Sequence, residues 1–149
     1  IDLGGGINFI NHKYSGLSDL KETNISLFAG AKVFLTQLSV NYSLSSYDKK
    51  SIAKQNISYA QKITGLNSVF CSFIDSSFNV KLEIPSTPLV LPYVSYTKIK
   101  TVNDDKLDVY AVGGYVDLSM VGVIAQFETY KDVNDKTQRF VSIAASLRF

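Results

Sequence analysis

The chain has 149 residues, enough for one domain with a core of its own or a small barrel. Its 15 basic and 13 acidic side chains give a net charge of +2, too weak to indicate a nucleic-acid partner. One cysteine, Cys71, and one histidine, His12, exclude an internal disulfide framework and a Cys/His zinc site. Charged residues make up only 19% of the chain, yet no run of about 18 apolar residues marks a spanning helix.

Three segments near the N-terminus alternate between apolar and polar or glycine positions. Leu3, Ile7 and Phe9 follow this pattern, as do Leu38 to Leu44. Successive side chains of a strand point to opposite faces, so the pattern predicts strands with one apolar and one polar face. The three predicted strands cover residues 2–12, 22–31 and 33–46.

Residues 47–71 have no single pattern. The apolar residues from Ile52 to Leu66 have the spacing of a short helix within a loop, whereas Ile57 to Ile63 and Val69 to Ile74 could form a further hairpin. A hairpin keeps the number of strands even, so parity does not decide between eight and ten. We prefer eight strands with a long loop and leave ten open.

Four strands are predicted in the next part of the chain. In the first, Phe78, Val80 and Leu82 alternate with polar residues, whereas the other three carry apolar residues on both faces. Glycines in these three strands predict bends or tight interior packing. The strands cover residues 72–84, 88–100, 107–117 and 119–130, and the glycines are Gly113, Gly114 and Gly122.

The last strand, residues 137–149, alternates most clearly and ends on an aromatic residue. The links between strands also alternate in length. Short links lie near Lys32, at 85–88 and at Leu118, and longer polar links cover 13–21, 47–71, 101–106 and 131–136. Short turns at one end and long loops at the other are typical of a transmembrane β-barrel.

The composition of the polar face favours a membrane barrel over a soluble sandwich or lipocalin-like barrel, which would bury its apolar face inside. The polar positions are mostly uncharged Ser, Asn, Gln and Gly. Tyrosines near predicted strand ends fit an aromatic girdle at the lipid interface: Tyr14, Tyr42, Tyr47 and Tyr130. We therefore predict an all-β fold, an eight-stranded antiparallel up-and-down transmembrane β-barrel that forms a single domain, residues 1–149.

The C-terminal part of the chain resembles a known family. Residues 110–118, Tyr-Ala-Val-Gly-Gly-Tyr-Val-Asp-Leu, and 140–149, Phe-Val-Ser-Ile-Ala-Ala-Ser-Leu-Arg-Phe, resemble the end of small bacterial outer-membrane barrels of the opacity-protein and OmpA/OmpX-like type. Residues 91–96, Leu-Pro-Tyr-Val-Ser-Tyr, resemble that family's strand after a periplasmic turn. The chain departs from the family in lacking Trp, and nothing in it resembles the peptidoglycan-binding domain that some members append.

This resemblance implies location rather than activity. In the family, a terminal aromatic residue preceded by alternating apolar residues is the signal for barrel insertion, and the matching residues here are Val141, Ile143, Ala145, Leu147 and Phe149. The resemblance implies the outer membrane of a Gram-negative bacterium, contact with lipid and lipopolysaccharide, and insertion by the barrel-assembly machinery. We expect that a signal peptide was removed before Ile1.

Several charged residues fall on the predicted inner face. The interior of an eight-stranded barrel is about filled by side chains, and buried charges must be paired. We predict that Lys81, Glu83, Glu128 and Arg148 form a charge network in the lumen, with Arg148 beside one of the two glutamates. The alternative is that they set the selectivity of a narrow pore. Asp2, Glu22, Lys32 and Asp117 also lie on or near this face.

Other motifs give weak chemical signals. His12 lies where some outer-membrane barrel enzymes place a catalytic histidine, but serines are too frequent to identify its partner, and we interpret it as a solvated residue near a loop. Asp104-Asp105 and Asp132 to Asp135 lack the glycine and glutamate of a calcium loop. Cys71 is interpreted as a small apolar residue. We expect no catalytic residue, metal or cofactor.

The resulting functional hypothesis is a structural or adhesin-like barrel without enzyme activity. Its two longest loops, 13–21 and 47–71, would contact a host or envelope protein, since loops on a rigid scaffold commonly carry binding. The alternative is a small gated pore for ions or small solutes. A soluble lipocalin-like binding barrel and a lipid hydrolase with its site at the rim are less favoured.

Overall fold

The computed structural model describes residues 1–13, 19–55, 61–62, 69–70, 72–84, 89–118, 120–131 and 135–147. Long strands account for most of them, because the alternating pattern runs through almost the whole chain. In order, the elements are β1 (Asp2–His12), β2 (Leu20–Val33), β3 (Thr36–Tyr47), α1 (Lys50–Gln55), β4 (Gln61–Lys62), β5 (Val69–Phe70), β6 (Ile74–Glu83), β7 (Val90–Thr101), β8 (Lys106–Asp117), β9 (Val121–Lys131) and β10 (Thr137–Leu147).

The eight long strands form one antiparallel sheet in the order β1-β2-β3-β6-β7-β8-β9-β10, so each pairs with its neighbour along the chain. The prediction of an all-β, eight-stranded, up-and-down arrangement is confirmed. Within the segment 47–71, α1 includes only Ile52 of the residues considered for a helix, and Tyr59, Ile63 and Leu66 lie outside the described residues, whereas β4 and β5 fall within the two stretches considered for a hairpin. The hairpin, β4 and β5, pairs as a separate two-stranded sheet and does not extend the main one.

The turn between β2 and β3 differs from the prediction, which placed a link near Lys32. Instead, β2 continues to Val33, which pairs with Thr36, and the turn consists of Phe34 and Leu35. Phe34 has a φ angle of 55°, a left-handed conformation for which two-residue hairpin turns usually select Gly or Asn. A Phe-Leu turn carries no such signal, which is why the sequence pattern misplaced it.

The two faces of the sheet differ in polarity and exposure. On the face that we call the outer face, Leu3, Phe9 and Val141 are 79%, 81% and 75% exposed. On the opposite, inner face, Glu22 and Glu128 are buried. The apolar face is therefore the exposed one, the reverse of the arrangement in a soluble sandwich.

The outer apolar surface ends along a line of polar residues. The strand registers place them side by side across the sheet: Thr23 beside Ser46, Lys98 beside Asp108, and Thr129 beside Arg139. The long loops lie on one side of this line. We use the name apolar belt for the apolar part of the outer face that lies on the other side. On β3 it runs from Leu38 to Leu44, about 20 Å at ~3.4 Å per residue.

Two clusters of buried apolar residues fill parts of the inner side. One consists of Ile74, Ile99, Leu107 and Val109, with Tyr130 packed against it. It draws residues from β6, β7 and β8, which explains why two of the strands with ambiguous patterns are apolar on both faces. The other, which we call the loop-end cluster, consists of Leu20, Tyr47, Ala53, Phe73 and Val102.

The predicted aromatic girdle is wrong in part, because two of its tyrosines belong to or pack against these clusters. Tyr47 is buried in the loop-end cluster, where its hydroxyl donates a hydrogen bond of 2.7 Å to the carbonyl oxygen of Ile74. Tyr130 stacks on Phe140, with ring centroids 5.8 Å apart. Only Tyr42 of the described girdle residues is exposed on the outer face, and Tyr14 lies outside the described residues.

Strands β1 and β10 form the two edges of the sheet. No pairing joins them within the part of the chain that the structure describes. Every residue of β1 from Asp2 to Asn11 is exposed, whereas His12 at its end is buried. Among the described residues, no helix has the length and apolar character needed to cross a bilayer.

Candidate functional site

A chain of polar contacts crosses the inner face from β6 to β9. Lys81 Nζ lies 2.5 Å from Glu83 Oε1 and 4.4 Å from the ring centroid of Tyr93. The Tyr93 hydroxyl hydrogen-bonds to Gln126, whose amide nitrogen donates to Glu128. We call these five residues the inner polar network. Three of the four predicted charged residues belong to it, and their charges are bridged by Tyr93 and Gln126, which the prediction did not include.

The network depends on a glycine opposite Tyr93. A Cβ atom on Gly113 would lie 2.6 Å from the Tyr93 ring and 2.7 Å from the carbonyl oxygen of Ala125. Gly113 therefore leaves the space in which Tyr93 crosses the interior to reach Gln126. The predicted tight packing is found at Gly113 and also at Gly122, whereas a Cβ on Gly114 would meet open space.

Beside the inner polar network lies a polar cavity of about 640 Å³. Its walls come mainly from β1, β2, β3, β6 and β7. Uncharged side chains dominate them, among them Asn24, Ser39, Asn41, Ser77 and Ser95. The charged residues in the wall are Glu22, Lys81 and Glu83. The cavity therefore lies mainly on the β1–β6 side of the inner face.

The loop-end side of the cavity contains a buried carboxylate with two partners. Glu22 Oε2 lies 2.7 Å from His12 Nε2, and the Ser45 hydroxyl donates to Glu22 Oε1 at 2.6 Å. His12 also packs edge-on against Phe73, with ring centroids 5.3 Å apart. The interpretation of His12 as a solvated residue is wrong, because Phe73 and β2 cover it. Its pairing with Glu22 could have been sought in the strand pattern, since both occupy inward positions at adjacent strand ends.

This arrangement lacks the geometry of a hydrolytic triad. In such a triad the histidine lies between the hydroxyl and the carboxylate and accepts the hydroxyl proton. Here the carboxylate of Glu22 lies between Ser45 and His12. The serine therefore donates its proton toward the carboxylate, and the three groups satisfy one another as a buried hydrogen-bond cluster.

The loop-end cluster lies above these residues and covers that end of the interior. Leu20 and Phe73 are completely buried, and Ala53 brings α1 into the same cluster. The backbone N–H of Val102 donates to the Phe73 carbonyl at 3.0 Å, which ties the β7–β8 loop to it. Three of the long links therefore meet over the interior.

Hydrogen bonds and ion pairs fix the bases of the loops. The Lys21 N–H donates to Asp48 Oδ1 at 2.9 Å, and the Asp48 N–H donates back to the Lys21 carbonyl at 3.1 Å, joining the ends of the two longest loops. Lys100 Nζ lies 2.9 Å from Asp104 Oδ1 and 3.8 Å from Asp75 Oδ2. The hydrogen bond from Lys100 lowers the pKa of the Asp104 carboxyl.

The remaining predicted site residues are distributed as follows. Val141, Ile143 and Leu147 are exposed on the outer face, together with Ala145. Arg148, Phe149, Cys71 and Asp132 lie outside the described residues, so the predicted pairing of Arg148 stays a prediction. Within the described ranges, no group of three or more His, Cys, Asp or Glu side chains is placed to hold a metal ion.

Comparisons of this chain with protein-family models, with curated proteins and with solved structures give no match.

Proposed function

We propose that this protein is a bacterial outer-membrane β-barrel without enzyme activity that presents its loops to a partner. The observation that carries the proposal is the inverted polarity of the sheet. Large apolar side chains such as Phe9 and Ile143 are exposed, while carboxylates such as Glu128 are buried. In water this arrangement exposes a wide apolar surface, whereas in a bilayer the same surface contacts lipid.

The dimensions of the apolar belt support this proposal. Its extent of about 20 Å along β3 projects to roughly 15 Å along the membrane normal for a strand tilted by ~40°, which covers part of the ~25 Å apolar band of outer-membrane barrels. The turns opposite the long loops add exposed apolar residues, among them Phe34, Leu35 and Met120. The polar residues at the other edge of the belt, such as Lys98 and Arg139, would lie at the level of the lipid headgroups.

The loop end supports a binding role over free passage of solutes. The loop-end cluster covers the interior there, and the pair of hydrogen bonds between Lys21 and Asp48 orders the bases of loops 13–21 and 47–71. Fixing the bases of a loop reduces the conformational entropy that the loop loses on binding. Under this proposal the partners are lipid, lipopolysaccharide and the barrel-assembly machinery, and the loops face a host or envelope protein.

Two linked measurements test the proposal. The protein is refolded into vesicles, and gel mobility is compared between unheated and boiled samples. Efflux of small solutes from the vesicles is measured in parallel. We expect a mobility shift without efflux, because a folded barrel with a covered loop end inserts but does not leak. A protein that stays soluble and monomeric without detergent would overturn the proposal.

A small gated pore is the second candidate, and the polar cavity favours it. A volume of about 640 Å³ holds roughly 20 waters at ~30 Å³ each, so the interior is not completely filled by side chains. If the protein is a gated pore, Phe73→Ala should weaken the loop-end cluster and produce efflux of small solutes that the parent protein lacks. Leu44→Ala, which removes side-chain volume from the outer face, serves as the control and should not leak.

A further inference from the structure

The polar cavity contains hydrogen-bonding groups that the protein itself does not use. Ser39, Asn41, Ser77 and Ser95 line it, and none of their side chains forms a hydrogen bond with another described residue. By contrast, Asn24 donates to Ser43 and Asn79 donates to Thr97 within the same wall. Ser39 is buried, Ser77 and Ser95 are half-buried and Asn41 is exposed toward the cavity, so their donors and acceptors are available to water or a ligand.

The charges in the wall largely compensate one another. Lys81 is paired with Glu83, and Glu22 is held by His12 and Ser45. An anionic or cationic ligand would have to compete with these contacts and would find no unpaired counter-charge among the described residues of the wall. An apolar ligand would displace the waters bound to the hydroxyl and amide groups without replacing their hydrogen bonds, which is unfavourable.

The volume of the cavity is large enough for a sugar-sized molecule. Its volume of about 640 Å³ lies within the ~300–1,000 Å³ of small-molecule sites. Phe28, on the β2 wall, adds an aromatic surface against which the C–H groups of a sugar ring can pack. Ser39 and Asn41 lie two residues apart on β3 and so face the cavity from the same side of the strand.

We propose that the cavity is a binding site for an uncharged, polyhydroxylated ligand of mono- to disaccharide size. Hydroxyl groups both donate and accept hydrogen bonds, so a sugar can replace the waters bound to Ser39, Asn41, Ser77 and Ser95 with little loss. The proposal goes beyond the proposed membrane function and requires only that the inner face encloses the cavity.

The experiment measures binding of glucose and maltose to the folded protein in phosphocholine micelles, because detergents with sugar headgroups would compete. Saturation-transfer NMR and calorimetry are the readouts, with glucuronate as the anionic probe. We expect one of the neutral sugars to bind and glucuronate to bind at least tenfold more weakly. Absence of binding by both neutral sugars up to their solubility, or equal binding of glucuronate, would overturn the proposal.

A matched pair of variants locates the site. Ser39→Val/Asn41→Leu removes the two β3 donors from the cavity wall, and Ser46→Val/Asn11→Leu makes the same replacements at exposed positions on the outer face. We expect the first to weaken sugar binding at least tenfold and the second to leave it unchanged. If the first variant does not fold, Asn41→Leu alone is compared with Asn11→Leu. Equal binding by the cavity variant and the control would place the ligand elsewhere and overturn the proposal.

The gel mobility shift separates this proposal from the membrane proposal. If the parent protein shifts on boiling and inserts into vesicles but binds neither neutral sugar, the cavity proposal fails while the proposed function stands. If the protein shows no shift and needs no detergent yet binds the sugar, the membrane proposal fails and the cavity proposal stands.

Discussion

His12 and Glu22 are diagonal neighbours across the β1–β2 pair, with 2.7 Å between His12 Nε2 and Glu22 Oε2, and both side chains are buried. The contact stands at the loop end of the interior, between the polar cavity and the loop-end cluster. It joins the start of the sheet to the covering residues, because His12 also contacts Phe73. Loss of this contact is therefore expected to lower the free energy of unfolding.

Removing one member of the pair should cost more than removing both. Glu22→Leu leaves His12 and Ser45 without their shared acceptor, and we expect a loss of about 1–3 kcal/mol in the free energy of unfolding. Because the double variant His12→Leu/Glu22→Leu leaves fewer buried polar groups unsatisfied, it should recover part of that loss. Urea unfolding in micelles measures the coupling. Strictly additive losses would show that the two side chains do not interact.

The close approach of Tyr93 to Gly113 predicts different effects for two adjacent glycines. Gly113→Ala forces a Cβ into the Tyr93 ring and the backbone of Ala125, and we expect it to destabilise by about 1–3 kcal/mol. Gly114→Ala meets open space and should change stability by no more than ~0.5 kcal/mol. Thermal unfolding of the two variants checks this difference. Equal losses would contradict the position of Tyr93.

Closure of the sheet into a barrel sets a parity rule for β1 and β10. Even-numbered residues face inward on both strands, as the positions of His12 and of Ser142, near the Gln126 carbonyl, indicate. Closure must therefore bring odd positions beside odd positions, because a slip of one residue would turn the apolar face inward. Hydrogen bonds between β1 and β10 would also satisfy the backbone N–H and C=O groups at these two edges in a bilayer.

Disulfide cross-linking tests the parity rule in a Cys71→Ser background. Ile143→Cys is combined with Ile7→Cys or with Phe9→Cys, and the control combines it with Asn8→Cys. We expect one of the first two pairs to form a disulfide within a single chain in vesicles and the control to remain reduced. Faster oxidation of the control, or disulfides that form only between chains, would argue against closure in this register.

The ion pair at the β7–β8 loop predicts a pH effect. Lys100 lowers the pKa of Asp104, so the pair stabilises the loop above the ordinary pKa of an aspartate, ~3.9, and this contribution disappears as the pH falls through the lowered value. Carboxyl NMR should give a titration midpoint below ~3.9 for Asp104. Lys100→Met should raise it and Lys21→Met should not. An unchanged midpoint in Lys100→Met would show that Lys100 does not lower the pKa of Asp104.

The sequence pattern predicts the strands well because alternation is a local property. Strand β3, predicted as 33–46, is observed as Thr36–Tyr47, and the error at its start comes from the turn at Phe34. The inward orientation of Tyr47 was not predictable, because it depends on Phe73, which lies 26 residues further along the chain and packs on its ring at 5.3 Å. The same holds for the inner polar network: local alternation predicts which of its residues face inward, whereas their contacts depend on residues distant in the sequence.

Lys81 and Glu83 were predicted on the inner face because strand periodicity places them there. The links through Tyr93 and Gln126 depend on the registers of four strands and on the space at Gly113. The pairing of His12 with Glu22 likewise depends on the β1–β2 register. Residue type and spacing identify such groups as inward-facing, but they do not identify the partner.

Contact between the exposed apolar face and lipid can be measured most directly on β3. Single cysteines at positions 37 to 44, in a Cys71→Ser background, are labelled with a polarity-sensitive fluorophore in vesicles containing lipid-bound nitroxide. We predict strong quenching at the even positions, Leu38, Val40, Tyr42 and Leu44, and weak quenching at the odd positions between them. Quenching at the odd positions, or equal exposure of all sites to a water-soluble quencher, would contradict the account.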